Sequence, residues 1–251
     1  MLDDYVKISS KGHKALVRGG LPDVVAAALI DCSGCTPAGS SGRGTVLRFP
    51  CGNRWGVIRK YLRGGVIRHF LSDSYLLHNR PLRELRLHDH VWRQGLPVPE
   101  PLGVCWQWRG PFLRGAIATV EIPARNLLDY LQAQPEQGVD AMRRCGELFR
   151  RMHDSGVWHA DLQVRNVLVG EPDLYLIDLD NARLIPGMTR VQRARNLFRF
   201  RRSLEKNGLP LGLFDALCRG YGEESLPGWI GRIYHTKGIV SDAFTRSGDG
   251  H

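Results

Sequence analysis

The 251-residue chain has no apolar run near the roughly 18 residues that a membrane-spanning helix needs. Its longest, Val24 to Ile30, follows Pro22-Asp23 and predicts the start of an ordinary helix. A secretory leader is also missing: Met1 is followed by acidic residues and no basic and apolar stretch, so the chain is expected to stay in the cytoplasm. Repeats and low-complexity tracts are absent. The six cysteines include one C-x-x-C pair, Cys32 and Cys35, with no second close pair to complete a structural zinc site, so they read as free thiols. Acids are missing from two stretches. Between Asp31 and Asp73 stand Arg43, Arg48, Arg54, Arg59, Lys60, Arg63 and Arg68; between Asp180 and Glu205 stand Arg183, Arg190, Arg193, Arg195, Arg199, Arg201 and Arg202.

What is present is an ordinary globular composition. With 43% hydrophobic and 24% charged residues, the chain is neither disordered nor fibrous, and its length suits one domain or two joined lobes. A formal net charge of +10 favours anionic partners: nucleic acid, phospholipid headgroups or phosphorylated substrates. Trp106 and Trp108 lie close together, but no RNA-binding motif surrounds them, so nucleic acid is not the expected partner.

The first third reads as β-rich. Thr45 to Phe49 and Trp55 to Tyr61 predict a hairpin around the turn Pro50-Cys51-Gly52-Asn53, and a glycine-rich loop, Gly39 to Gly44, feeds it. Leu82, Leu85, Val91 and Trp92 fall near one helical face that Gly95 closes. Strand-like stretches follow around Val104 and from Ile117 to Ile122. From Asn126 helices dominate, Asn126 to Leu131 and Asp140 to His153, interrupted by short strands Val167–Val169 and Leu174–Ile177. A basic helix from Thr189 to Lys206 ends at Asn207-Gly208, with Val191, Ala194, Leu197, Phe198 and Leu204 as its apolar stripe. The fold class expected is α+β.

Chemistry concentrates in His159-Ala160-Asp161-Leu162-Gln163-Val164-Arg165-Asn166 and in Ile177-Asp178-Leu179-Asp180. Phosphoryl transfer needs a carboxylate to orient the attacking hydroxyl and oxygen ligands to hold Mg²⁺ on the phosphates. The order H-x-D-x-x-x-x-N, then an aspartate after an apolar strand, resembles the catalytic and metal-binding loops of protein kinases, with Asp-Leu-Asp in place of Asp-Phe-Gly. That resemblance implies a bilobal protein-kinase-like fold, with a small β-rich N-lobe over 1–123 and a mainly helical C-lobe over 124–251. It makes Asp161 the base, Asn166 and Asp178 the Mg²⁺ ligands, and Asp180 an additional ligand. His153 and His159 read as structural.

The N-terminal part offers the remaining pieces. Gly42 and Gly44 allow backbone N–H groups to approach phosphates. Arg59 and Lys60 are adjacent, so they point to opposite faces of their strand and only one faces the nucleotide; Arg63 is a third basic candidate. Glu84 is the natural partner of that cation, and Glu121 ends the strand where a kinase hinge holds adenine. The basic helix carries two readings: its arginines are solvated or paired, or Arg195, Arg199 and Arg202 form a docking surface for an anionic acceptor.

Together, Arg59-Lys60-Tyr61-Leu62-Arg63-Gly64-Gly65, Arg80 to Leu85, Gly95 to Pro99, the His159 and Asp178 loops and Asn196 to Lys206 resemble the Kdo (3-deoxy-D-manno-octulosonic acid) kinases of Gram-negative bacteria. The resemblance runs from about Gly39 to Lys206. It implies a peripheral enzyme on the cytoplasmic face of the inner membrane. Such an enzyme phosphorylates a hydroxyl, the 4-hydroxyl, of Kdo on Kdo-lipid A with ATP and Mg²⁺. A kinase of another core sugar (heptose), or an atypical protein or tRNA-modification kinase, is the alternative reading.

Overall fold

The computed structural model describes residues 2–41, 44–61, 79–109 and 112–222. They group into two compact units: Met1–Arg125 with Val167–Ala182, and Asn126–Asn166 with Arg183–His251. The segment carrying Asp178 and Asp180 thus groups with the N-terminal residues.

In the first unit, seven antiparallel strands form one sheet: β1 (Tyr5–Ser10), β2 (His13–Arg18), β3 (Thr36–Ser41), β4 (Gly44–Cys51), β5 (Arg54–Lys60), β6 (Pro101–Arg109) and β7 (Phe112–Val120), in the order β1-β2-β6-β7-β5-β4-β3. The β4–β5 hairpin sits where the turn residues predict it. The glycine-rich segment is itself largely strand: Ser41 pairs with Gly44, so β3 and β4 form a second hairpin. Gly42 lies outside the described residues, as do Arg63, Gly64 and Gly65. The β1–β2 hairpin turns at Lys11-Gly12, both at positive φ (50° and 74°), the hand that matches strand twist.

Helix α1 (Pro22–Asp31) covers one face of the sheet and α2 (Arg80–Arg93) the other. Val25, Ala28 and Leu29 of α1 pack with Val17, Phe49, Ile58 and Ala118, whereas Leu85 of α2 packs with Leu16, Val104 and Ile117. Alternation along β5 then assigns its residues: Ile58 and Lys60 face α1, and Arg59 faces α2. Full burial of Ile58 or Leu85 contributes about 2 kcal/mol. Asn79 caps α2, its side chain accepting from the Leu82 N–H at 3.1 Å, and Pro81 suits the first turn. The β1–β2 hairpin anchors the same helix. Arg18 lies between the rings of Tyr5 and Trp92 (4.9 and 4.4 Å) and donates to buried Asp89 at 2.6 Å.

The second unit is helical: α3 (Leu127–Ala133), α4 (Gly138–Asp154), α5 (Arg190–Lys206) and α6 (Gly212–Tyr221). Helices α4 and α6 cross almost backbone to backbone. A Cβ on Gly146 would stand 2.1 Å from the Leu217 carbonyl oxygen, and one on Gly220 1.9 Å from that of Arg143, so both positions require glycine. A capping box starts α5: the Thr189 hydroxyl accepts from the Gln192 N–H at 3.3 Å and Gln192 Oε1 accepts from the Thr189 N–H at 2.8 Å. The apolar stripe of α5 differs from the expectation. Phe200 is fully buried, edge-on to Phe149 at 4.9 Å, whereas Phe198 is half-buried and Val191 exposed. Counting from Leu197, Phe200 and Leu204 are the positions that return to one side of a helix. Among the described residues, no helix is long and apolar enough to cross a membrane.

Candidate active site

The first unit holds a charged constellation. Arg59 donates to Glu84 Oε1 at 2.6 Å and lies 3.4 Å from Asp178 Oδ1; Tyr61 donates its hydroxyl to Glu84 Oε2 at 2.5 Å. Glu84 is only 2% exposed. Burial pushes its carboxyl up, and Arg59 and Tyr61 draw it back. Burial pulls the Arg59 guanidinium down, but Glu84 and Asp178 outweigh it and hold the group charged. Asp178 sits at φ 63°, a left-handed conformation that aspartate tolerates better than most residues and that clusters at functional sites. The neighbouring Asp180, 4% exposed, has partners of its own. Arg80 donates Nε to Oδ1 at 2.5 Å and Nη2 to Oδ2, and Asn181 donates to Oδ2 at 3.3 Å. This fork occupies the carboxylate expected as an additional metal ligand.

Lys60, the next residue on the strand, projects to the opposite face from Arg59, the face that α1 covers. Of the two adjacent cations, Arg59 is the one that meets Glu84 and Asp178. Glu121, at the end of β7, donates its N–H to the Trp55 carbonyl at 2.8 Å, and its carboxylate Oε2 accepts from Arg48 Nε at 2.7 Å.

The second unit holds the H-x-D loop. Asp161 is exposed; its Oδ2 accepts from Gln163 Nε2 at 2.9 Å, and its N–H donates to His159 Nδ1 at 3.2 Å. Asn166 donates its amide to the Asp161 carbonyl at 2.8 Å, which turns its own oxygen the other way. Beneath the loop, fully buried Asn196 of α5 grips the His159 backbone at both ends, accepting from its N–H at 3.2 Å and donating to its carbonyl at 2.7 Å. Asn196 Oδ1 also accepts from His153 Nε2 at 3.0 Å, so His153 Nδ1 accepts from the Tyr221 hydroxyl at 2.9 Å. Burial lowers the His153 imidazole to about 4 and keeps it neutral. Two turns along α5, the Ser203 hydroxyl accepts from the Val164 N–H at 3.1 Å. Ser203 and Tyr221 were not singled out in the sequence, and Asn196 only as the first residue of a segment that carries the family resemblance. The available signal was an uncharged amide on the buried side of α5, between Ala194 and Leu197.

The structure therefore brings together Arg59, Glu84, Asp178 and Asp180 in one unit, and Asp161 and Asn166 in the other. On α5, Arg195 and Arg202 are exposed and Arg199 is half-buried beside Trp158, 5.8 Å from its ring; Arg193 and Arg201 pair with Asp154 and Glu205.

A helix glutamate gripping a strand arginine, and an aspartate loop pinned by buried amides, put this molecule in the class of protein-kinase-like phosphotransferases on an α+β fold. More narrowly, the chain belongs to the lipopolysaccharide kinase (Kdo/WaaP) family, whose model matches residues 38–221. It is 31% identical over 180 residues to the 3-deoxy-D-manno-octulosonic acid kinase of Vibrio cholerae serotype O1, covering 69% of this chain and 75% of that protein. It is 34% identical over 175 residues to the enzyme of the same name from Xanthomonas euvesicatoria pv. vesicatoria, covering 67% and 68%. A solved structure of WaaP in complex with acyl carrier protein matches with a TM-score of 0.52 at 18% identity, covering 81% of this chain and 83% of that one, a likeness of fold.

Proposed function

We propose that this protein transfers the γ-phosphate of ATP to a hydroxyl of Kdo, the 4-hydroxyl, on Kdo-lipid A or a related lipopolysaccharide precursor. The observation that carries this reading is the exposed Asp161 carboxylate on a loop whose backbone is pinned by Asn166 and Asn196, in a chain about one-third identical to Kdo kinases. Asp161 orients the acceptor hydroxyl and takes its proton as the oxygen attacks the γ-phosphorus. The bond from that phosphorus to the β–γ bridging oxygen breaks, and ADP leaves with its electron pair. Arg59, held by Glu84, neutralises phosphate oxygens; Gly42, Gly44 and the Glu121 strand end are the proposed contacts to the rest of the nucleotide.

The donors suit Mg²⁺. Asp178 offers a carboxylate, and Asn166 offers its amide oxygen because the nitrogen is tied to the Asp161 carbonyl. Among the described residues, no group of three or more His, Cys, Asp and Glu side chains forms a cage. With Asp178 and Asn166 as its protein ligands, Mg²⁺ would supply charge neutralisation at the nucleotide's phosphates. The surplus of arginine suits an anionic precursor at the cytoplasmic face of the inner membrane, where the protein is peripheral.

The test is an acceptor assay with labelled ATP and the purified chain. Label transfer to Kdo-lipid A, and none to heptosylated acceptors lacking a free Kdo hydroxyl, is expected. Transfer to heptose alone overturns the acceptor.

A further inference from the structure

Beside the Asp161 loop lies an aromatic residue flanked by two arginines that the phosphoryl-transfer roles leave unused. Trp158 immediately precedes His159-Ala160-Asp161. It belongs to a two-residue ribbon in which Val157–Trp158 pairs antiparallel with Arg183–Leu184, and Arg183 stands directly opposite Trp158. Cross-strand partners project to the same side, so Arg183 and Trp158 share a face. Trp158 is half-buried and Arg183 exposed.

The second arginine comes from α5. Arg199 falls between Asn196 and Ser203 on one side of that helix, and those two residues hold the loop backbone at His159 and Val164. Its guanidinium carbon lies 5.8 Å from the Trp158 ring centre. Its Nε is buried with no hydrogen-bond partner. Among the described residues neither Arg183 nor Arg199 pairs with a carboxylate, whereas Arg193 and Arg201 of the same helix do. A buried N–H donor on a charged group that meets no acceptor is costly, and a guanidinium edge is shaped for two oxygens of one anion.

We infer that Trp158, Arg183 and Arg199 form the subsite for the acceptor sugar, with the Arg199 edge taking its carboxylate and the Trp158 ring lying against its apolar face. This deepens the Kdo reading above and rests on it. The sugar named in the relatives is an acid, and a carboxylate on the ring that carries the reacting hydroxyl gives Arg199 a handle on acceptor orientation. Arg183, in solvent, adds attraction and less geometry. Phosphate groups of the lipid present similar oxygens, so the experiment separates the two sources.

Steady-state kinetics of the full chain on Kdo-lipid A, on its Kdo carboxyl methyl ester, and on the acceptor stripped of lipid phosphates makes the test. The wild type is expected to lose about tenfold to a hundredfold in acceptor kcat/KM on esterification and little on removal of lipid phosphate. Arg199→Ala is expected to erase the acid-over-ester preference while KM for ATP stays unchanged, and Arg199→Lys to restore part of it. Arg183→Ala, at an exposed position that does not threaten folding, is expected to raise acceptor KM a few-fold. An ester as good as the acid, or an Arg199→Ala enzyme that keeps the wild-type preference, overturns the subsite while leaving Kdo phosphorylation standing. A preference that follows lipid phosphate instead overturns the carboxylate assignment. A wild type that phosphorylates no Kdo acceptor fails earlier and refutes the acceptor reading itself.

Discussion

The two halves of the machinery are held by opposite kinds of force. In the first unit, Arg59, Glu84 and Asp178, and beside them Arg80 and Asp180, are fixed by charge against charge in partly buried surroundings. In the second, the contacts described above that hold the Asp161 loop come from neutral groups: two asparagine amides, an uncharged histidine, a tyrosine and a serine. Charged contacts are strong but broad in direction, and suit residues proposed to meet phosphates as well. Neutral hydrogen bonds are weaker but sharply directional, and they hold one backbone geometry without adding a field beside the carboxylate they position.

That contrast can be broken at its centre. Asp161→Asn leaves both clamps intact and is expected to cut kcat by about a thousandfold, with nucleotide affinity kept; turnover and ATP binding measured side by side check this, and unchanged turnover removes Asp161 from the mechanism. Asn196→Ala next strips the neutral clamp, removing the amide that meets the His159 N–H and carbonyl and His153 Nε2. An expected loss of about tenfold to a hundredfold in kcat, with ATP affinity preserved, distinguishes loop misplacement from general unfolding. Asn196→Asp sharpens the point: it keeps the acceptor and makes the clamp ionic. NMR titration should then find the His153 pKa raised well above its present value of about 4. In the charged half, Glu84→Gln is expected to weaken ATP binding about tenfold and destabilise the fold by about 2 kcal/mol, with acceptor KM unchanged. An equal effect on acceptor KM contradicts the division of labour.

The smallest effect is one of pH. His88, bonded to the Pro99 carbonyl at 2.7 Å, and His153 are both lowered to about 4 by burial. In the unfolded chain histidine titrates near about 6.5. As pH falls through this window the unfolded state takes up protons that the native state refuses, so stability present above about 6.5 drains toward pH 4. Each histidine contributes about 1.4 kcal/mol per pH unit at most. Urea unfolding of His88→Gln across that range should show a shallower slope than the wild type; an identical slope contradicts the assignment.

Much of this was legible in the residues. The β4–β5 hairpin, α2, the strand before Asp178 and the H-x-D loop each carry a local pattern of turn residues, period or spacing. The choice between Arg59 and Lys60 was not local. Alternation separates them, but only the placement of α1 and α2 on opposite faces says which side meets Glu84. The β1–β2 hairpin escaped because its Lys-Gly turn is a weaker signal than Asn-Gly, and because Arg18 gains its meaning from Trp92 and Asp89, far away in the chain. Asn196 was visible as part of a segment typical of the family. Its grip on His159 depends on a tertiary approach that no periodicity encodes. The α5 stripe was misjudged at Phe198 because a dense run of arginines and phenylalanines fits more than one phase.

The crossing of α4 and α6 carries a consequence of its own. Where Gly146 and Gly220 bring two backbones into direct touch, no side-chain layer remains to absorb sliding or rotation. Tyr221, next to that contact, is delivered to His153 as if by a rivet, and any side chain added at either glycine would lever the helices apart. The placement of the Asp161 loop, through Tyr221, His153 and Asn196, thus depends on two absent methyl groups.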